Sequence, residues 1–137
     1  MTTTYSNTPR HEFVSHHSGA DVDESLICVG FSRDPADESS LDGLILQRGR
    51  DVEEDTPGID GVYVEIPIQR HVVYGGIVEA TLRRDSFALR FDDSTAQEMA
   101  GFREIVVRFN LPDEQFANIR NALQLIFTDC PCYREDA

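Results

Sequence analysis

A chain of 137 residues fits one domain and is long enough to bury one hydrophobic core. Twenty-five acids face twelve bases, every base an arginine; the net charge of −13 repels nucleic acid and anionic membranes and draws in basic partners. No run approaches the ~18 consecutive apolar residues of a membrane span. The opening Met1-Thr-Thr-Thr-Tyr-Ser-Asn7 also lacks the charged-then-apolar pattern of a secretory signal, so a cytoplasmic location is expected.

In chain order, residues 1–20 read as a flexible tail or an edge strand: 1–10 are polar and without period, and 11–15 suit a short edge strand. Residues 21–129 read as the single domain. Leu26-Ile-Cys-Val-Gly-Phe31 is a compact β-type run, and Leu44-Ile-Leu-Gln-Arg48 is another. Between and after them lie two turn-rich acidic loops, 32–42 and 49–61. Residues 21–60 hold twelve acids against three arginines, a net of −9. Val62, Val64, Ile66 and Ile68 then alternate with Tyr63, Glu65 and Pro67; because Pro67 cannot donate to a ladder, this strand lies at an edge or ends there.

Residues 77–91 read as a hairpin about a two-residue Arg84-Asp85 turn. This register sets Leu82 opposite Phe87, Ala80 opposite Leu89, Val78 opposite Phe91 and Glu79 opposite Arg90. A helical turn or two is expected in 94–100, and a strand where Ile105, Val107 and Phe109 alternate with Glu104, Val106 and Arg108. Phe116, Ile119, Leu123, Ile126 and Phe127 recur at helical spacing from Pro112 onward, with Asp113 and Glu114 suited to the positive end of the helix dipole. A helix with one apolar stripe needs a sheet beneath it. The expected fold is therefore α+β: a mostly antiparallel sheet of about 5–7 strands with a C-terminal amphipathic helix packed on it. Residues 130–137 read as a C-terminal tail.

Few residues offer chemistry. His16 and His17 are adjacent, and His11 and His71 have no ligand-like spacing. Cys130-Pro-Cys132 is too short for a zinc half-site. Three cysteines in a reducing compartment argue against a disulfide, so that tail is read as reduced, with Cys28 a small hydrophobe in its apolar run. Gly75-Gly76 lacks the further glycines and the lysine of a phosphate loop and reads as a bulge or tight bend. The loop carboxylates look solvated, with no apolar pocket to raise a pKa. Arg83, Arg84 and Arg90 cluster on the hairpin but are interleaved with acids. No catalytic set, no metal, no cofactor and no nucleic-acid binding is expected.

Taken in order, Leu44-Ile-Leu-Gln-Arg48, the acidic spacer, Gly58-Ile-Asp-Gly-Val-Tyr-Val-Glu65, Gln69 and Tyr74-Gly-Gly-Ile77 with its hairpin form a distinctive set. With the helix ending Leu123 to Phe127, the chain resembles the immunity protein 10 family of bacterial polymorphic-toxin systems over about residues 26–127. The resemblance implies a cytosolic antidote that binds a cognate toxin domain, without catalysis or cofactor. It brings no set of binding residues with it.

Physics supplies the candidates. Asp37, Glu38, Asp42, Asp51, Glu53, Glu54 and Asp55 are the expected partner-binding residues, and the expected partner is a toxin domain with a basic, nucleic-acid-targeting surface. Tyr63, Glu65, Tyr74, Gly75 and Gly76 are motif residues with a scaffold reading and a contact reading, the scaffold weighing more. The alternative function is a small acidic ligand-binding or regulatory domain without a toxin partner, in which Tyr63, Glu65, Gly75 and Gly76 line a pocket.

Overall fold

A computed structural model describes residues 9–34, 42–49, 62–66, 71–128 and 130–136. The chain is α+β, and the ten strands among the described residues form two five-stranded sheets. The first is a consecutive antiparallel meander of β2 (His17–Val22), β3 (Leu26–Ser32), β4 (Gly43–Gly49), β5 (Tyr63–Ile66) and β6 (His71–Tyr74). The second is mixed, in the order β1 (Arg10–Val14), β9 (Glu104–Arg108), β8 (Ser86–Phe91), β7 (Ile77–Arg83), β10 (Tyr133–Glu135). Its flanking pairs β1–β9 and β10–β7 are parallel, and its central pairs are antiparallel.

Strand alternation produces one core between these layers. Ile27, Val29, Phe31, Leu44, Leu46, Val64 and Ile66 project from one face of the meander, and Ala80, Leu82, Phe87, Leu89, Ile105 and Val107 from one face of the mixed sheet. The faces meet where Phe31 stacks on Phe87 and on Phe109, at centroid distances of 6.0 and 5.8 Å. Helix α2 (Asp113–Ile126) lies against β2, β3 and β4 on the same side of the meander. Ile119, Leu123, Ile126 and Phe127 of its stripe are buried and Phe116 is partly so. Arg48, at the end of β4, turns inward and donates to the Ile126 carbonyl at 2.7 Å. Pro112 is the helix N-cap rather than its first residue, and Asp113 and Glu114 occupy the first turn.

The short helix α1 (Asp93–Glu98) begins at Asp92, whose carboxylate accepts from the Thr95 amide at 2.8 Å. Hydrogen bonding from the Thr95 side chain, and then from its amide, holds the Asp92 carboxyl below its ordinary pKa.

The β7–β8 hairpin has Leu82 opposite Phe87, Ala80 opposite Leu89 and Glu79 opposite Arg90, as the sequence predicts. Neither Arg84 nor Asp85 has a positive φ, so the turn is not of the mirror-image type that demands glycine or asparagine. Val78 is a correction. The register shifts between Ile77 and Glu79, Ile77 takes the place opposite Phe91, and Val78 is left half exposed. The cause sits just upstream: Gly75 and Gly76 both have φ near +80°, and the bulge absorbs the bend that carries the chain from one sheet to the other.

Cys28 is a free thiol, turned outward by the β3 alternation and partly exposed. One other expectation is revised. Cys130 and Cys132 are joined by a disulfide, and the segment read as a reduced tail docks instead as strand β10 on the edge of β7. Phe127 stacks on Tyr133 at 5.3 Å, and Glu135 receives hydrogen bonds from Tyr133 and Gln124 and pairs with Arg120. Those contacts outweigh the burial that raises the Glu135 carboxyl and bring it below its ordinary pKa, while burial pushes the Tyr133 phenol up.

β5 is internal to the meander rather than at its edge, and its described run is Tyr63–Ile66. Pro67, Ile68, Gln69 and the start of that motif at Gly58 and Asp60 lie outside the described residues.

Candidate functional site

Strand register brings the motif residues together. On the outer face of the meander, Asp21, Cys28, Gln47, Tyr63 and Tyr74 align as one rung across all five strands, and Gly19, Gly30, Ile45, Glu65 and Val72 form the next. Tyr63 and Tyr74 are direct partners, with rings 5.3 Å apart in an edge-on arrangement. The Tyr63 hydroxyl donates to Glu65 Oε1 at 2.6 Å. That hydrogen bond, with partial burial and the Glu65 charge, pushes the Tyr63 phenol up to about 12. Gln47 Nε2 lies 3.7 Å from Cys28 Sγ. Leu26, Gln47, Arg48, Gly49, Tyr63 and Tyr74 surround a shallow hollow of about 310 Å³. It is open to solvent, and Glu65, Gly75 and Gly76 do not line it.

Gly75 and Gly76 stand apart from this face. The Gly75 amide donates to the Val62 carbonyl at 2.9 Å. A Cβ on Gly76 would fall 2.0 Å from Thr95 Oγ1 and 2.7 Å from Thr95 Cβ. Positive φ and close approach both require glycine here, which accounts for the pair structurally.

Of the acidic candidates, Asp37, Glu38, Asp51, Glu53, Glu54 and Asp55 lie outside the described residues. The two segments that contain them leave from opposite ends of β4, about 20 Å apart along a seven-residue strand. Asp42 is engaged internally: His11 Nε2 lies 3.0 Å from one of its oxygens and Arg33 3.2 Å from the other.

The outer face of the mixed sheet has a different character. Arg10 pairs with Glu12 and Glu104, Arg108 with Glu12, Arg90 with Glu79, Arg134 with Glu79 and Asp136, and Arg83 with Asp136. Arg108 holds the Glu12 carboxyl below its ordinary pKa. Beside this lattice, a hollow of about 330 Å³ is lined by Leu82, Arg83, Arg84, Phe116, Arg120, Glu135 and Asp136. Its arginines are all neutralised: Arg83 by Asp136, Arg120 by Glu135, and Arg84 by Asp113 while it lies 4.6 Å over the Phe116 ring.

Among the described residues, no group of three or more His, Cys, Asp or Glu side chains is placed to hold a metal ion. Nor is any described helix long and apolar enough to cross a membrane.

Sequence reasoning singled out Tyr63, Glu65 and Tyr74 but missed their neighbours Leu26, Cys28 and Gln47. Only the β3–β4–β5 register, which a single sequence does not display, sets those side chains side by side.

A family model described as Immunity protein 10 matches residues 14–117. No curated protein and no solved structure matches the chain.

Proposed function

The chain belongs to the immunity protein 10 family, and on that premise we propose that it binds and neutralises the cognate toxin domain of a bacterial polymorphic toxin system. The family match over residues 14–117 is the observation that carries this reading. The action is stoichiometric occlusion in the cytoplasm, with no catalysis and no cofactor of its own. The acidic segments containing Asp37, Glu38, Asp42, Asp51, Glu53, Glu54 and Asp55 steer a basic toxin surface of the kind that handles nucleic acid. An excess of −9 within residues 21–60 raises the association rate and makes it salt-dependent.

The experiment is co-expression with the toxin domain encoded beside its gene. Rescue of growth together with co-purification of the two proteins is expected. Toxicity undiminished by the chain, with no complex recovered, rejects the reading.

A further inference from the structure

The two outer sheet faces dispose their charges in opposite ways. The mixed sheet spends its arginines on its own carboxylates, and outward-pointing Val106 and Thr81 are nevertheless buried, as expected where arginine stems lie across a sheet. On the meander, no arginine of the described strands projects from the outer face, since Arg48 turns inward to Ile126. What that face offers is a pair of tyrosines, a leucine and a bare strip of backbone. Tyr74 is 68 % exposed and Leu26 36 %. Gly19 and Gly30 are cross-strand neighbours with nothing within 4 Å of where a Cβ would stand. The stretch of sequence that supplies it is one-sided in charge: residues 16–74 carry thirteen acids against four arginines.

We propose that the Tyr63–Tyr74 rung of the meander's outer face is the anchor surface for a protein partner whose contacting patch is apolar at its centre and basic around it. This rests on the immunity reading and names the surface by which the toxin is held. Interfaces draw most of their affinity from a few aromatic anchors near the centre, ringed by polar contacts. Tyr74 suits that role because its ring is already held edge-on by Tyr63, whose hydroxyl is fixed by Glu65. Little side-chain freedom is left to lose on binding. The glycine strip lets a partner side chain reach the sheet backbone, and Asp21 and Glu65, carboxylates of the same face with no described arginine beside them, complement a basic rim. The paired lattice on the other sheet presents neither feature.

The test measures binding of the full chain to an inactivated toxin domain from the neighbouring gene. Tyr74→Ala removes an exposed ring, and Gly30→Arg inserts bulk into open space, so both variants keep the fold, checked by an unchanged thermal midpoint. Tyr74→Ala is expected to speed dissociation about tenfold or more, and Gly30→Arg to abolish binding. Arg90→Gln on the mixed sheet is expected to bind as wild type does. A readout without mutation uses Cys28, the free thiol on the same rung: its alkylation slows in the complex. Variants that bind like wild type, or Cys28 alkylated at the free-chain rate in the complex, overturn the surface while the immunity function stands. A wild-type chain that neither binds nor protects overturns both. Loss of self-association in Tyr74→Ala with toxin affinity intact would reassign the face to a second copy of the chain and refute the proposal.

Discussion

Leu123→Ala tests the packing of α2 most directly. Leu123 is 0 % exposed and sits in the core shared by the helix and both sheets. Truncation removes about three buried carbons at about 0.8 kcal/mol each, or about 2.4 kcal/mol of transfer free energy. The void left behind is walled by strands whose hydrogen-bonded register resists collapse. At about 24 cal/mol per Å³, a residual cavity of about 40–80 Å³ adds about 1–2 kcal/mol. The expected loss is therefore about 3–4.5 kcal/mol. With an m-value of about 2 kcal/mol per molar urea, the unfolding midpoint falls by about 1.5–2.3 M. Asn121→Ala, on the exposed side of the same helix, should stay within about 0.5 kcal/mol of wild type. A loss for Leu123→Ala below about 1 kcal/mol would refute the docking of α2 on the core.

Gly76→Ala meets Thr95 and a strained φ together, so a loss of about 1–3 kcal/mol in urea unfolding is expected; a neutral result would contradict the structural account of this motif residue. The Tyr63 phenol should ionise near pH 12 in an ultraviolet absorbance titration, moving toward 10.0 in Glu65→Ala. A folded pKa above the unfolded one gives stability that is fully present below about pH 10 and lost as pH rises through about 12. The stability gap between wild type and Glu65→Ala should therefore narrow across that window, and a wild-type titration at the ordinary value would dismiss the linkage. Replacing Asp51, Glu53, Glu54 and Asp55 by their amides should slow association with the toxin and flatten its salt dependence, since rim charges act mainly on the on-rate. An unchanged rate and slope would make that segment a solvated surface only.

Local pattern foretold local structure. The β7–β8 register follows from apolar alternation on both sides of a tight turn, and α2 from the spacing of Ile119, Leu123 and Ile126. The resemblance to the immunity protein 10 family is likewise written in the strand motifs and agrees with the match over residues 14–117. Non-local features were not legible. Alternation says that a strand has a buried face but not which sheet it joins, so ten strands did not announce a division into two layers. β2 reads His-Ser-Gly-Ala-Asp-Val, too polar to signal a strand, and it gains its place from pairing with β3. The disulfide is not legible from compartment and cysteine count, whereas the turn into β10 sets Cys130 beside Cys132. Tyr63 and Tyr74 look unrelated eleven positions apart until β5 and β6 pair.

The parallel pairs that flank the mixed sheet bear on the order in which the molecule is built. The meander joins neighbours in sequence, so its loops close cheaply and its strands can pair while the rest of the chain is still being made. The mixed sheet works on another timetable. β1 waits for β9, with Arg10 opposite Glu104, and the edge of β7 stays open until Tyr133–Glu135 arrive. Between those events β7 offers unpaired backbone to any other chain nearby. Shortening the C-terminal segment should therefore show itself first as aggregation during synthesis, before any loss in the activity of molecules that have already folded.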